Sequence, residues 1–461
     1  MSTYPTFGRA TIRLVIALMT EHCWVPRSVN GRTTFLSGFR LWQLRKCACG
    51  LICSLRRWYE AVVALLLSLG YNRCEVNQGL FFLFVCNHLL FVIATHVKDV
   101  LCGGQANEGQ RFETAMRKSF AVGPTTVGTP TFTELRVVTD ADPSSGSLTI
   151  KVDQDHNLST IDAVLILEAL ISNNAAAVSW AALTQYRWLV GAFPLDFWQT
   201  QPYLACSSSL LARRSHEVVV KDLMNENSCI GAAESDYGLP LLYQHIGALY
   251  RLVLITDASS ITLHSATAKT GYLLLPLKDV SRGALQPDTA LTLLVLSSHR
   301  QRQVTHSTFA SQPYALLYGM RAAIKTACVP AHLTEGTDAA LPPSDAFTHC
   351  HGFFITIQGA GLSRMKERNA ATAALRHMYL SATMLSLTWL PATGQVSDFL
   401  TKPACSASLR GMLRSGRYGL HPVNALMKTH QTDRTDLDAA LLLSSVHGEA
   451  PSVSPFRLSV L

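Results

Sequence analysis

Charged and histidine side chains stand where an apolar stretch ends, at His96-Val97-Lys98-Asp99. A strand, a tight bend and a second strand with acids at the bend would present carboxylates to Mg²⁺, a hard cation that prefers anionic oxygen. Asp99 supplies one such acid, and its neighbour Lys98 carries an ammonium group. The pattern therefore indicates a bend that could present the Asp99 carboxylate to a cation.

Two apolar runs must position this bend, Leu80 to Val85 and Leu89 to Ala94, and Cys86-Asn87-His88 separates them. Because Asn tolerates turn conformations that β-branched residues resist, we expect a β-hairpin. The alternative is a membrane span, but the run is shorter than the roughly 20 residues that a helical span needs. Asn87 and His88 would also lie at its centre, so we expect no membrane association.

Composition indicates a globular chain of two or three domains, because 48% of its 461 residues are hydrophobic and 15% are charged. Residues 1–58 alone carry a net positive charge of +8, equal to that of the whole chain, because Glu21 is their only acid. Aromatic residues are interleaved with the cationic residues of this segment, a pattern that suits a surface that contacts phosphates and stacks on bases. A solvated basic face with core tryptophans is the alternative, and both remain open. The cations are Arg9, Arg13, Arg27, Arg32, Arg40, Arg45, Lys46, Arg56 and Arg57, and the aromatic residues are Trp24, Trp42, Trp58 and Tyr59.

Twelve cysteines are scattered without the paired spacing of a disulfide framework, so we expect reduced thiols. Cys47, Cys49 and Cys53 are close in sequence, but their spacing matches no standard zinc site and a fourth ligand is not evident. The apolar run from Leu14 to Met19 is too short and too closely flanked by arginines for a secretory signal. We therefore expect a cytoplasmic or nuclear protein.

Hydrophobic periodicity predicts the order of the elements. In the first third we expect helices over 11–22, 58–69 and 107–120, a strand over 29–38 that ends in a turn, and a second hairpin from 131–138 and 147–152. Beyond a helical region over 158–244, strands are expected at 252–255, 271–276, 291–296, 353–357 and 385–390, and helices at 314–329 and 366–379. Strands first and then alternating strands and helices is the order of a ribonuclease H-like domain, although other mixed α/β folds share it.

Two segments resemble strands that carry polymerase aspartates. Residues 29–38 resemble the motif D-V-x-T-A-F-L-x-G, with Asn30 in the place of the aspartate. Residues 96–99 resemble Y-V-D-D, with Lys98 at the first aspartate and Asp99 at the second. The resemblance implies that these three side chains lie together on neighbouring strands.

Residues 44–59, between these segments, resemble the signature K-A-L-Y-G-L-K-Q-A-P-R-x-W-Y. In this order the motifs are similar to the reverse transcriptase and ribonuclease H region of copia-type retrotransposon Pol polyproteins, and the likeness covers most of residues 10–403. The resemblance implies nucleic-acid contacts from Arg32, Lys46, Arg56, Arg57, Trp58 and Tyr59.

Four later segments resemble those that carry the acids of the ribonuclease site. Asp257 falls at the first position, and Asp398 at the fourth, in a segment over 390–403 that matches P-T-x-x-Q-x-A-D-x-L-T-K. Gln312 stands at the second position and His349 at the third. Taken alone, Asp257 is explained as a turn residue and Asp398 as a helix N-cap. The ordered series of motifs favours the site.

The resemblance implies a fold class of α+β and α/β, in which a truncated reverse transcriptase palm and thumb precede a ribonuclease H-like domain. The expected divisions are 1–157 for the palm and thumb, 158–244 for a helical connection, 245–405 for the ribonuclease H-like domain and 406–461 for a partly disordered tail. Mg²⁺ is the cofactor expected for the family. The expected partner is an RNA/DNA hybrid or an RNA template, with no membrane and no small-molecule cofactor.

Both activities of this family use carboxylates to hold two Mg²⁺ ions about 4 Å apart. With Asn30 and Lys98 in place of two acids, Asp99 alone cannot assemble the polymerase pair. In the ribonuclease site the two retained aspartates could share one ion, Gln312 offers a neutral oxygen, and His349 could ligate a softer metal such as manganese or zinc.

Further departures from the family pattern indicate drift in a copy no longer selected for activity. Glu134 stands where the family has glycine, Leu296 replaces a tryptophan, and Pro313 lies in the expected first turn of a helix. We therefore expect a degenerate retroelement protein without polymerase activity. A non-catalytic nucleic-acid-binding module and an unstable pseudogene product are the alternatives.

Overall fold

The structure, a computed structural model, describes residues 9–31, 54–86, 88–97, 99–142, 147–166, 168–246, 250–259, 268–278, 289–290, 292–305, 307–334, 344–358, 366–390, 395–402 and 407–418. Residues 1–421 form one unit, and a second unit, 422–461, lies outside the described residues.

A six-stranded antiparallel sheet is built from the N-terminal region. Its elements are α1 (Arg9–Glu21), β1 (Arg27–Gly31), α2 (Ser54–Ser68), β2 (Asn72–Arg73), β3 (Leu80–Val85), β4 (His88–His96), β5 (Asp99–Gly104), α3 (Ala106–Ser119) and β6 (Val122–Val127). The strand order is β2-β3-β4-β5-β1-β6. The hairpin predicted over 80–94 is confirmed, and so are the three helices predicted for this region.

The central strands of this sheet are apolar at successive positions because both faces are covered. Leu66 of α2 and Phe112 of α3 belong to the core on one face. On the other face α1 crosses the sheet so closely that a Cβ at Gly103 would lie 2.9 Å from Cγ of Met19. Double coverage explains why the run from Leu80 onward lacks the alternation of a half-exposed strand.

A four-stranded antiparallel sheet follows, in the order β10-β9-β8-β7. The elements of this region are β7 (Thr131–Phe132), β8 (Leu135–Ala141), β9 (Leu148–Asp153), α4 (Asp155–Leu158), α5 (Glu168–Ile171), α6 (Trp180–Thr200), α7 (Ala205–Arg213), α8 (Val220–Ser235) and β10 (Leu241–Tyr243). A 3-10 turn, Pro202–Leu204, joins α6 to α7. β10 thus joins this sheet from within the region expected to be a helical connection.

The prediction of one strand over 131–138 is wrong. Phe132 pairs with Leu135 across a tight turn at Thr133-Glu134, where φ is 48° and 68°. Left-handed backbone is usually signalled by glycine or asparagine, and neither is present here. The hairpin that continues through β8 and β9 is confirmed.

A five-stranded mixed sheet contains the remaining long strands, and the region's elements are β11 (Tyr250–Ser259), β12 (Lys269–Lys278), β13 (Thr289–Ala290), β14 (Val295–Arg300), α9 (Thr308–Thr334), β15 (Ser344–Thr348), α10 (His351–Gln358), α11 (Lys366–Leu380), β16 (Met384–Trp389), α12 (Ala407–Ser415) and β17 (Arg417–Tyr418). The order is β14-β12-β11-β15-β16; the first three strands are antiparallel and the last three parallel. A second 3-10 turn, Val396–Leu400, follows β16 and is called the C-terminal 3-10 turn below. The chain therefore has the predicted α+β and α/β class.

The strand predicted at 353–357 is wrong, because these residues form α10 and the strand of this region is β15. Phe353 and Ile357 are buried whereas Ile355 between them is 53% exposed, which is the spacing of a helix and not of a strand. The segment looks strand-like in sequence because it contains β-branched residues, which favour strands. The sequence does not reveal β15, because Asp345 interrupts the apolar pattern of a buried strand. In the fold, this buried carboxylate pairs with Arg251 Nη1 at 2.8 Å. The strand predicted at 291–296 lies instead at β14.

The helix predicted at 314–329 starts earlier, at Thr308. Ser307 caps it by accepting a hydrogen bond from the Ala310 N–H at 3.1 Å. Pro313 is therefore the sixth residue of α9, and its placement in the first turn is wrong.

The eight cysteines of the described residues are free thiols; Cys47, Cys49 and Cys53 lie outside that part of the chain. None of the described helices is long and apolar enough to cross a membrane.

Candidate functional site

The bend between β4 and β5 forms as predicted. His96 pairs with Asp99 across it, and Val97 at the bend has a φ of 50°, which a β-branched residue rarely adopts. Asn30 of β1 is the register partner of Asp99. Lys98 lies outside the described residues, so the structure brings together two of the three predicted positions.

An asparagine opposite one aspartate is a weak ligand set for Mg²⁺. Burial lowers the pKa of His96 against the raising effect of the Asp99 charge, so the neutral imidazole is favoured there. Within the described residues, one group of three His, Cys, Asp or Glu side chains is able to surround a metal ion, and it lies elsewhere: Asp257, His349 and Asp398.

Asp257 lies within β11, the central strand of the five-stranded sheet, so its interpretation as a turn residue is wrong. It pairs with Gly271 of β12 and is fully buried. A buried carboxylate requires hydrogen-bond partners. Oδ1 accepts from Gln312 Nε2 at 3.1 Å and lies 3.0 Å from His349 Nδ1, and Oδ2 accepts from the Thr401 hydroxyl.

The C-terminal 3-10 turn carries Asp398 to the end of β11. The N-cap of this turn is Gln395 and not Asp398. Gln395 Nε2 donates to the Thr256 carbonyl at 2.9 Å and so ties the turn to β11. Gly271 permits the close approach, because a Cβ there would lie 2.6 Å from Cβ of Leu400.

His349 directly follows β15, the parallel neighbour of β11. Thr348 is in register with Thr256, so the residues that follow these two lie side by side. Trp389 Nε1 donates to the His349 carbonyl at 2.8 Å and holds this end of the strand. One ligand atom from each of His349, Asp257 and Asp398 lies within 4.8 Å of the others.

Gln312 approaches the same point from α9 and is fully buried. Its Nε2 also lies 3.4 Å from the carbonyl of Ala258. Its Oε1, in contrast, has no hydrogen-bond partner in the part of the chain that the structure describes. A buried carbonyl oxygen without a partner is costly, so this amide is poised to meet a further donor or cation.

Thr401 and Lys402 also belong to the site, although neither was predicted from the sequence. Lys402 Nζ lies 2.6 Å from Oδ2 of Asp398. Oδ1 of Asp398 has no hydrogen-bond partner among the described residues. The matched L-T-K motif could have indicated both residues, because side chains three and four positions after an acid lie on the same face of a helical turn as that acid.

The pKa shifts describe an internal ion pair. Burial raises the pKa of Asp257, but the contact and charge of His349, with two further hydrogen bonds, outweigh it and the net pKa is lowered. The same contact raises the pKa of His349 against burial, and the charge of Asp398 adds to the effect. Burial lowers the pKa of Lys402, but its pairing with Asp398 gives a net rise. Asp398 therefore faces the Lys402 ammonium, and Asp257 faces an imidazole whose protonated form its charge favours.

These side chains do not fit the Mg²⁺ pair that the resemblance implies. Mg²⁺ demands oxygen ligands in near-octahedral geometry. Here an imidazole and an amide accompany the two carboxylates, and the Lys402 ammonium already pairs with Oδ2 of Asp398.

The predicted nucleic-acid contacts divide into three groups. Arg32 and Lys46 lie outside the described residues. Arg56 pairs with Glu60 at 2.7 Å, and the Tyr59 hydroxyl donates to a backbone carbonyl. Trp58 packs against the core, and Arg57 is exposed beside it on α2. Arg13 of the basic N-terminal segment is buried and cannot contact a phosphate in this conformation.

A scan against protein-family models and a search of curated proteins found no match. Among solved structures, LC11-RNase H1 from compost, in complex with an RNA/DNA hybrid, is 12% identical over 34% of this chain and 99% of that chain, with a TM-score of 0.25. An N-terminal RNase H domain from Mycobacterium tuberculosis is 14% identical over 35% of this chain and 98% of that one, with a TM-score of 0.24. The foamy viral protease-reverse transcriptase with an RNA/DNA hybrid is 9% identical over 85% of this chain and 47% of that one, with a TM-score of 0.42. At TM-scores below 0.5, none of these likenesses by itself identifies an activity.

Proposed function

We propose that this chain is a degenerate relative of copia-type reverse transcriptase and ribonuclease H proteins. In this proposal it keeps a nucleic-acid-binding scaffold and lacks both Mg²⁺-dependent activities. The divisions at 1–157, 158–244, 245–405 and 406–461 belong to the same proposal.

The convergence at Asp257 is the observation that supports this proposal most strongly. Gln312 from α9, His349 after β15 and Asp398 from the C-terminal 3-10 turn all reach this one aspartate or its immediate surroundings. These are the four positions that the resemblance assigns to ribonuclease acids. Separate turn and cap roles would not bring four distant segments to one point. Two of the four positions no longer carry acids, so the spatial arrangement of the site is kept although its set of metal ligands has changed.

The pairing of Asn30 with Asp99 supports the loss of polymerase activity. Two-metal catalysis needs carboxylates on both strands, and β1 offers an amide at this register position. Metal ions contribute several kcal/mol of transition-state stabilisation, so their loss reduces the rate by many orders of magnitude.

Primer extension on an RNA template and cleavage of an RNA/DNA hybrid, each with Mg²⁺, test the proposal. We expect no turnover in either assay from the full chain. A double variant, Gln312→Glu with His349→Asp, restores the family's acids and should gain hybrid cleavage if the scaffold is intact. Turnover by the unmodified chain comparable to that of an intact enzyme would overturn the proposal.

A second candidate function is non-catalytic binding of RNA/DNA hybrids, and the exposed Arg57 on α2 favours it. Cations that contact phosphates release counterions, so affinity should fall steeply as salt rises. Arg57→Glu should weaken binding, and the slope of log affinity against log salt concentration should become shallower by the amount that corresponds to the loss of about one to two phosphate contacts. Arg56→Glu is the matched comparison, because Arg56 already pairs with Glu60. Binding that does not respond to salt would exclude this function.

A further inference from the structure

We propose that Asp257, His349 and Asp398 bind one divalent transition-metal ion, of the Zn²⁺ class, at the end of β11. The ligand set is two carboxylate oxygens and one imidazole nitrogen, contributed by three separate segments. The site would distinguish this protein from a Mg²⁺ enzyme and needs neither polymerase activity nor hybrid binding.

The geometry is close to that of a bound ion. The three ligand atoms lie within 4.8 Å of one another, and His349 Nδ1 and Asp257 Oδ1 are 3.0 Å apart. Zn²⁺ binds nitrogen and oxygen at about 2.0–2.2 Å, so ligands on one ion are at most about 4.4 Å apart. Side-chain adjustments on the order of 1 Å would close the site. Asp398 and His349 are 28% and 27% exposed, which leaves a path from solvent.

Unpartnered polar atoms at this point provide an independent indication of a missing ligand. Gln312 is fully buried, and its amide, which donates to Asp257 through Nε2, has an Oε1 without a partner among the described residues. Oδ1 of Asp398 also accepts no hydrogen bond within the described ranges. An ion with a bound water would satisfy both oxygens, one as a ligand and the other as an acceptor from the water.

The charge balance favours a transition metal over Mg²⁺. Lys402 holds Oδ2 of Asp398, so this carboxylate can offer an ion one oxygen only. Mg²⁺ requires several hard oxygen ligands, whereas imidazole suits zinc, copper, nickel and iron. The replacement that removes a Mg²⁺ ligand at His349 therefore supplies a ligand for the softer ions.

Metal binding to the full chain, stripped with a chelator and free of nucleic acid, tests this inference. Co²⁺ is the probe, because a low-coordinate site gives it visible absorption. We expect one Co²⁺ per chain, displacement by Zn²⁺, and no displacement by a large excess of Mg²⁺. His349→Ala should weaken Co²⁺ binding by at least about ten-fold. His351→Ala is the matched control, because His351 is exposed and stacks on Phe354 outside the cluster.

Circular dichroism should show that the His349→Ala chain is folded, and His349→Gln, which keeps a polar side chain of similar size, replaces it if it is not. His349→Asp should reverse the preference and allow Mg²⁺ to compete. Co²⁺ binding that is unchanged in the His349 variants, or equal competition by Mg²⁺ in the unmodified chain, would overturn the inference. Because nucleic acid is absent from this experiment, its outcome is separate from that of the proposed function.

Discussion

Asp257 Oδ1 and His349 Nδ1 lie 3.0 Å apart at the end of the central strand, where the resemblance implies two carboxylates. Two buried carboxylates at this distance repel each other unless metal ions or protons neutralise them. An aspartate beside a histidine instead forms a pair that can neutralise itself. The fold can therefore keep this buried charge without Mg²⁺.

The Asp257–His349 pair should make stability depend on pH in metal-free protein. The pKa of Asp257 is lowered from 3.8, so its contribution is present above that value and is lost as pH falls through the folded pKa. The pKa of His349 is raised from 6.5, so its contribution is full below that value and is lost as pH rises through the folded pKa. The coupling free energy should therefore be largest between about pH 4 and 6.5.

A double-mutant cycle of Asp257→Asn and His349→Gln, measured by denaturant unfolding with a chelator present, gives this coupling. We expect about 1–3 kcal/mol within the window and less on either side. A coupling that stays constant from acidic to alkaline pH would show that the pair is not an ion pair.

Gly271→Ala should move the C-terminal 3-10 turn away from β12. The added Cβ would lie 2.6 Å from Cβ of Leu400, and the backbone that carries Asp398 must shift to relieve the clash. We expect a loss of about 1–3 kcal/mol in the free energy of unfolding, as for other overpacked positions. Co²⁺ affinity should fall as well, since Asp398 moves with the turn.

Gly231→Ala is the control for Gly271→Ala. Gly231 lies in α8, and a Cβ added there would meet open space, so alanine should be neutral or stabilise by up to about 1 kcal/mol. Equal effects of the two substitutions would contradict the steric explanation.

The sequence predicted those elements whose burial is visible as a local pattern of apolar residues. The runs over 80–85 and 89–94 were recognised because apolar length and Asn87 indicate a hairpin without tertiary information. The sequence pattern does not reveal β15, because Asp345 is tolerated in a buried strand through Arg251 and Ser386, which are 94 and 41 residues away in sequence. A contact of that kind leaves no trace in a local window.

The candidate site was predictable at the level of positions and not of contacts. Ordered motifs identified Asp257, Gln312, His349 and Asp398, which lie on segments that are far apart in the chain. The pairing of Lys402 with Asp398 depends on the 3-10 turn, whose boundaries periodicity does not resolve. The unpartnered oxygen of Gln312 depends on the orientation of one buried amide, which only the packed structure reveals.

Glu226 should make the protein less stable as pH rises. It is fully buried in α8, neither carboxylate oxygen has a hydrogen-bond partner in the described part of the chain, and burial raises its pKa to about 9. The folded state then holds a proton that the unfolded state releases above about pH 4.5, so stability falls between pH 4.5 and 9. Glu226→Gln should flatten this dependence and stabilise the protein at pH 8 by on the order of 2 kcal/mol.

Melting temperature against pH measures the effect of Glu226→Gln. Glu234→Gln on the same helix is the control, because Glu234 is exposed and its neutralisation should leave the profile unchanged. Parallel profiles for Glu226→Gln and the unmodified chain would mean that the carboxyl group is solvated.

Glu134→Gly should stabilise the protein, although glycine usually destabilises. Glu134 has a φ of 68°, a left-handed conformation that costs a residue with a Cβ about 1–2 kcal/mol. Glycine removes that cost but adds about 0.5–1 kcal/mol of unfolded-state entropy, so the net gain should be about 0.5 kcal/mol. Glu134→Ala loses the same carboxylate, and its 3.5 Å contact with Asn157, while keeping the Cβ. Denaturant unfolding should therefore rank Gly above Ala by about 1 kcal/mol, and the opposite ranking would mean that the turn at Thr133-Glu134 is not left-handed in solution.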